Sequence, residues 1–134
     1  MPGPLQGRNM KVGDATEVSR VISAKDVSEY ASLIQQTGTS EQVPEPLVGA
    51  LFSYLLGVRL PGQGTNYLKQ ETTFHRVACV GDTLTARVEI TRLRPEKSLV
   101  DLATTCTDSE GRLVATGRAL VSARDVAGEL EAHD

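Results

Sequence analysis

Apolar residues are most concentrated in residues 46–56, where almost every position is apolar. They spread round the whole circumference of a helix instead of forming one stripe, so such a helix has to be covered on all sides. With about a dozen residues it is shorter than the roughly 20 that a membrane span needs, and the cover must therefore be protein. Pro44 and Pro46 suit the start of this helix, and Gly57 suits the left-handed residue that ends one. The pattern predicts a buried central helix.

The chain before the central helix predicts one strand and one outer helix. Residues 16–22 have the β-branched content of a strand, and Ser23 stands where an N-cap precedes a helix. After Ser23, apolar residues recur at helical spacing on one face, namely Val27, Tyr30, Ala31, Leu33 and Ile34. This is the pattern of an amphipathic helix that packs one side on the core.

The chain after the central helix carries strand signals. Residues 66–75 indicate one strand, and residues 84–91 alternate apolar and polar side chains, as in a sheet with one buried face. Turn residues at 94–97 and 108–111 separate two further strands. An antiparallel five-stranded sheet that wraps around the buried central helix is the economical packing for these elements. The predicted class is α+β, with the hot-dog fold.

The chain has 134 residues and a formal net charge of −3. This length predicts one domain, at residues 15–124, between a flexible lead-in at 1–14 and a flexible tail at 125–134. Lys and Arg are scattered and Trp is absent, which argues against nucleic-acid partners. Because no apolar stretch suits a signal peptide or a membrane span, the sequence predicts a cytoplasmic protein without membrane contact.

Three stretches carry a family resemblance: RLPGQGTNYLKQETTF, VGDTLTARVEITRL and TDSEGRLVATGRALV. They resemble the MaoC-like family of (R)-specific enoyl-CoA hydratases and hydroxyacyl dehydratases. The resemblance implies a homodimer and a reaction that adds water to, or removes it from, the α,β double bond of an acyl thioester. It also implies a substrate carried on coenzyme A or an acyl carrier protein, and no cofactor.

The family's catalytic motif is missing from this chain. In the family, an Asp and a His in a D-x-N-P-x-H motif just before the central helix supply the base and hold the water. Residues 34–46, IQQTGTSEQVPEP, contain no Asp, Asn or His, and the segment is too short for the whole motif. Because His75 and His133 are the chain's two histidines, a histidine cluster for a metal is not expected either.

Glu45 is the first candidate to replace this chemistry. It lies at the start of the central helix, where the family places its reacting thioester and where the helix dipole favours a carboxylate. The structural alternative for Glu45 is a helix cap. The N–H groups of Glu45, Leu47 and Val48 are candidate donors to the thioester oxygen. His75 is the second candidate base, and its alternative is a surface imidazole.

Three further residues are candidates for substrate binding. Tyr54 on the central helix presents a hydroxyl to a pocket or packs with one satisfied hydrogen bond. On the following strand, Leu68 and Phe74 are expected to face the helix, which brings Asn66 and Gln70 to the core or to a dimer seam. Buried amides need partners, so a structural hydrogen-bonding role is the alternative for both.

These observations leave three hypotheses open. The first is an enoyl-thioester hydratase or dehydratase with a rebuilt site that uses Glu45, and this is the interpretation we prefer. The second is an acyl thioesterase with Glu45 as base or nucleophile, which the surviving carboxylate fits. The third is a non-catalytic acyl-binding protein or the partner subunit of a heterodimer, which the missing Asp and His favour.

Overall fold

The computed structural model describes residues 10–33, 42–62 and 64–123. These residues form two α-helices and five strands, in this order: β1 (Ala15–Val21), α1 (Ala24–Leu33), α2 (Glu45–Tyr54), β2 (Asn66–Phe74), β3 (Thr83–Arg94), β4 (Leu99–Thr107) and β5 (Leu113–Ser122). Short helical turns follow α2, at Leu55–Arg59, and β3, at Pro95–Lys97.

All five strands belong to one antiparallel sheet, in the order β1-β3-β4-β5-β2. Short turns join β3, β4 and β5, so these three strands are neighbours both in sequence and in the sheet. The strands β1 and β2 lie at its two edges. The sheet packs around α2, and the hot-dog fold predicted from the sequence is confirmed.

The core forms where α2 meets one face of the sheet. Alternating side chains of β3 and β4 are buried while their neighbours are half-buried or exposed, as the sequence pattern predicts. Burying an apolar side chain of this size stabilises the fold by about 1.5–3 kcal/mol relative to exposure. The largest fully buried side chains come from both layers and include Phe52, Leu55, Leu56, Leu60, Leu84, Ile90 and Leu102.

The helix α1 begins with the predicted N-cap. Ser23 Oγ accepts a hydrogen bond from the N–H of Asp26 at 3.1 Å, and Asp26 Oδ2 accepts one from the N–H of Ser23 at 2.8 Å. This reciprocal pair satisfies N–H groups that the start of a helix leaves without partners. The bond from the Ser23 N–H, together with one from the Ser23 hydroxyl to the same carboxylate, lowers the pKa of Asp26 below its ordinary value. Val27 is buried and attaches the helix to the core.

The end of α2 differs from the prediction. The chain continues through Gly57 in a π-helical turn over Leu55–Arg59, and Gly57 does not adopt a positive φ. The turn closes where the N–H of Leu60 donates to the Leu55 carbonyl at 2.8 Å. Leu55 and Leu60 are fully buried there, and their burial outweighs the local preference of glycine. The expectation that Gly57 ends the helix is therefore wrong.

One face of α2 is left uncovered by the described part of the chain. Val48, Leu51 and Phe52 are buried, whereas Ala50 and Tyr54 are exposed. Within the described residues, the predicted cover is present toward the sheet, and a groove separates this face of α2 from α1.

The strand β2 contains a bulge that changes which side chains face α2. Its register with β5 shifts between Tyr67 and Lys69, so Leu68 has no partner residue on β5. Leu68 is 56% exposed instead of turned to the helix, and the expectation for it is wrong. Tyr67 lies close to Ser53 of α2, and Phe74 packs against the core as predicted.

No helix within the three described ranges is long and apolar enough to cross a membrane. The predicted lead-in at 1–14 and tail at 125–134 lie mostly outside the described residues. Met10, the first described residue, is buried in the core. The domain boundaries and the cytoplasmic address stay predictions.

Candidate active site

A cleft of about 550 Å³ lies at the start of α2. Its walls are the segment that leads into α2 and the segment that follows β2. A hydrogen bond from the N–H of Val43 to the Ala78 carbonyl, at 2.8 Å, joins the two segments, and a β-bridge between Gln42 and Cys79 extends the contact. This pairing places the first turn of α2 beside the end of β2, so residues far apart in sequence share one cavity.

The cleft has an apolar floor and a charged rim. Val48 and Val114 are buried in it, and Phe74 packs against the same core. The exposed polar side chains at the rim include Glu45, His75 and Arg76. A cavity of this size, with a few polar groups over an apolar lining, suits a small-molecule ligand. Within the described residues, no group of three His, Cys, Asp or Glu side chains is placed to hold a metal ion.

Glu45 is the first residue of α2, and its carboxylate is exposed to solvent. Its side chain forms no hydrogen bond or ion pair with the described residues, so the alternative of a helix cap gains no support from them. The prolines on either side donate nothing, and the N–H of Leu47 donates to the Pro44 carbonyl at 3.0 Å. The N–H of Glu45 has no acceptor in the described chain and stands at the positive end of the helix dipole.

His75 follows the last residue of β2 and is held by two contacts with β5. Its N–H donates to the Val114 carbonyl at 2.8 Å, and its Nε2 lies 2.6 Å from the hydroxyl oxygen of Thr116. Nδ1 has no partner in the part of the chain that the structure describes. The next residue, Arg76, is exposed and forms no ion pair with that part of the chain either.

A second cavity, the groove between β1, α1 and α2, has a volume of about 500 Å³ and a more apolar lining. Its charged side chains are Arg20, Asp26 and Glu29, and Asp26 is already engaged in the N-cap of α1. The groove is the better apolar pocket, but the cleft is lined by a carboxylate and an imidazole, and the Glu45 N–H at the helix start has no acceptor among the described residues. We therefore treat the cleft as the candidate active site.

The structure divides the residues predicted on and near the central helix between the two cavities. Glu45, His75 and Val48 line the cleft. Leu47 and Tyr54 line the groove instead, since they lie on another face of α2. The catalytic and substrate-binding roles of these five residues stay predictions.

Two predicted residues line neither cavity, and one contact was missed. Asn66 and Gln70 are exposed on β2, at the edge of the sheet. Thr116 was not predicted at all, although it contacts His75. The two positions are 41 residues apart and meet only through the pairing of β2 with β5, so no local sequence spacing signals the contact.

Three comparisons with known proteins agree with this fold. Residues 48–117 match the family model described as FAS1-like, dehydratase domain region. The (R)-specific enoyl-CoA hydratase of Aeromonas caviae is 33% identical, in a match that covers 87% of this chain and 98% of that protein. The 3-hydroxybutyryl-CoA dehydratase of Methylorubrum extorquens is 39% identical, in a match that covers 87% of this chain and 83% of that protein.

A solved structure is similar over the same extent. The (R)-hydratase from A. caviae involved in PHA biosynthesis superimposes with a TM-score of 0.79 at 33% identity, covering 84% of this chain and 96% of that chain. With matches of this length and identity, the chain belongs to the MaoC-like hot-dog family that includes the (R)-specific enoyl-CoA hydratases.

Proposed function

We propose that this chain is an enoyl-thioester hydratase in which Glu45 and His75 transfer the protons. The observation that carries this proposal is that both side chains line one cleft at the start of α2, above an apolar floor. The similarity to (R)-specific enoyl-CoA hydratases supports an acyl thioester as the substrate. Because residues 34–46 contain neither Asp nor His, the proposed hydratase needs other groups for proton transfer.

The reaction needs a base for water and an acid for carbon. The Glu45 carboxylate takes a proton from water while the water oxygen bonds to C3 of the enoyl group. The π electrons of the C2–C3 double bond then form a C2–H bond with the Nδ1 proton of the His75 imidazolium, which becomes neutral. Proton exchange with solvent afterwards returns Glu45 to the carboxylate and His75 to the imidazolium. Groups that transfer protons in this way each contribute about 10² to 10⁴ in rate. Dehydration is the same path in reverse.

The thioester oxygen gains negative charge during this addition and needs a donor. The N–H of Glu45 is the candidate, because it has no acceptor in the described chain and lies at the first turn of α2. Donors that are fixed before the reaction stabilise such charge without reorganising. Arg76, at the same rim, offers a positive charge to the phosphates of coenzyme A or of a carrier protein's pantetheine arm.

We also infer a homodimer that forms through β2. This strand of 9 residues ends the sheet, and its Tyr67 and Leu68 are 41% and 56% exposed. An edge strand offers unpaired N–H and C=O groups to another strand. Antiparallel pairing of two β2 strands about Gln70 places Lys69 of each copy opposite Glu71 of the other. Opposite charges in such positions each contribute about 0.2–1 kcal/mol.

The test of the reaction uses the purified full chain with crotonyl-CoA, followed by loss of the enoyl absorbance. We expect Glu45→Gln and His75→Asn each to lower kcat by about 10² to 10⁴. Arg76→Ala is expected to raise KM and to leave kcat nearly unchanged. Hydration that persists at the parent rate in both Glu45→Gln and His75→Asn would disprove the proposed pair.

The same preparation separates the two other hypotheses. Thioesterase activity is assayed with saturated acyl-CoA substrates by the release of free thiol. If the parent chain releases thiol and Glu45→Gln does not, the chain is a thioesterase and the hydratase proposal is replaced. Saturable binding of acyl-CoA with neither activity would instead identify an acyl-binding protein or a partner subunit.

A further inference from the structure

The imidazole of the proposed acid has one side-chain contact within the described chain, and that contact is with Thr116. The distance from His75 Nε2 to Thr116 Oγ1 is 2.6 Å. Thr116 lies in the middle of β5, where it pairs with Thr73 of β2 and with Thr105 of β4. It does not line the cleft itself. Any effect of Thr116 on chemistry therefore has to pass through His75.

The backbone around this contact leaves the imidazole little freedom. The bond from the His75 N–H to the Val114 carbonyl, at 2.8 Å, extends the pairing of β2 with β5 by one residue. Thr116 has strands on both sides, and its β-branched side chain is stiff at χ1. The hydroxyl is thus a fixed point to which one ring nitrogen is attached, and Nδ1 is the nitrogen that remains for the cleft.

We propose that Thr116 is the positioning residue of His75: its hydroxyl accepts a hydrogen bond from Nε2–H and so leaves the proton on Nδ1 as the one delivered to substrate. This proposal rests on the proposed function, in which His75 is the acid. When Nδ1 gives up its proton, the neutral ring keeps Nε2–H, and the bond to Thr116 is preserved. The contact therefore selects the Nε2–H tautomer, because the ring nitrogen that stays protonated is set by its hydrogen-bond partner.

The test compares Thr116→Val, which removes the hydroxyl at nearly constant shape, with Thr116→Ser, which keeps it. Thr105→Val is the matched control, since Thr105 is the cross-strand neighbour of Thr116 on β4. The tautomer of His75 is read from ¹⁵N chemical shifts, which is practical because the chain has 2 histidines. In parallel, kcat and KM are measured with crotonyl-CoA, and thermal unfolding confirms that each variant is folded.

We expect Thr116→Val to lose the uniform Nε2–H tautomer and to lower kcat up to about 100-fold with KM unchanged. Thr116→Ser is expected to restore both quantities, and Thr105→Val to change neither. The positioning role is refuted if Thr116→Val keeps both the tautomer and kcat, or if it loses the tautomer and keeps kcat. The proposed function still stands in either case, provided that His75→Asn lowers kcat. If His75→Asn hydrates crotonyl-CoA as fast as the parent chain, the proposed function fails as well.

Discussion

Asp108 lies in the turn between β4 and β5, with its side chain only 4% exposed. Burial acts to raise the pKa of Asp108. Hydrogen bonds from the N–H groups of Arg112 and Glu110 and from the Arg112 guanidinium outweigh burial, and they lower the pKa below its ordinary value of 3.8. The bond from Arg112 Nε to Asp108 Oδ2 is 2.8 Å long. The folded chain therefore holds this carboxylate as an anion more firmly than the unfolded chain does.

We expect Asp108→Asn to destabilise the fold in a pH-dependent way. Because the folded pKa is the lower one, the stabilisation is complete above the unfolded value near 3.8 and is lost as the pH falls through the folded value. The variant should melt below the parent at neutral pH, and the gap in Tm should narrow in acid. Circular dichroism during heating measures this gap. Glu110→Gln is the control, because the Glu110 side chain is 70% exposed. A difference in Tm between Asp108→Asn and the parent that is equal at all pH values would contradict the argument.

The candidate site was predictable from the sequence only in part. Glu45 could be found because helix starts are marked by proline, and His75 because the chain has few histidines. Their meeting in one cleft depends on the bond between Val43 and Ala78, which pairs segments that are distant in sequence. Thr116 was not predicted because its contact with His75 also depends on distant segments. Threonine is common in strands, and the register of β5 with β2 decides which residue it meets.

At the scale of secondary-structure elements, β5 packs closely against β2 at Gly117. Gly117 pairs with Thr72, and a Cβ atom built on it would overlap the backbone carbonyl of Glu71. The obstacle is main chain and cannot rotate away as a side chain would. Any larger residue at position 117 therefore has to push β5 and β2 apart. His75 directly follows β2.

We expect Gly117→Ala to lower the free energy of unfolding by about 3 kcal/mol, because the added methyl group is forced into a packed backbone. Denaturation by urea measures the change. Gly57→Ala is the matched control, since a Cβ atom at Gly57 meets nothing within 4 Å and its φ is not positive. That control should be neutral or stabilising by about 0.5–1 kcal/mol. Equal stability of Gly117→Ala and the parent chain would refute the close contact.

The elements themselves follow from local patterns, and the exceptions follow from distant contacts. The apolar run of α2, the alternation of β3 and the cap at Ser23 are each contained in a short stretch of sequence, and each was predicted. The bulge at Leu68 is set by register with β5, and the turn through Gly57 by the burial of Leu60. The local sequence around Leu68 and Gly57 therefore does not predict either feature.

At the scale of the whole molecule, the proposed dimer leads to a test by charge reversal. Lys69→Glu places two like-charged pairs across the seam and should raise the Kd of the dimer about tenfold. The double variant with Lys69→Glu and Glu71→Lys restores opposite charges and should restore the dimer. Light scattering over a dilution series measures the mass. Arg87→Glu is the control, since it reverses the charge of an exposed residue on β3. A parent chain that is monomeric at every concentration would exclude the dimer.

The guanidinium of Arg59 donates to the Glu17 carbonyl at 2.7 Å and lies 5.5 Å from the centre of the Tyr54 ring. Glu17 belongs to β1, the strand at the other edge of the sheet. The Arg59 guanidinium, which also contacts Tyr54 of α2, thus occupies an acceptor that a further strand would use. Copies of a chain that pair through both sheet edges can assemble into fibres, whereas copies that pair through one edge form a dimer. We therefore expect the β1 edge, where Arg59 occupies one carbonyl, to be less open to a further strand than the β2 edge.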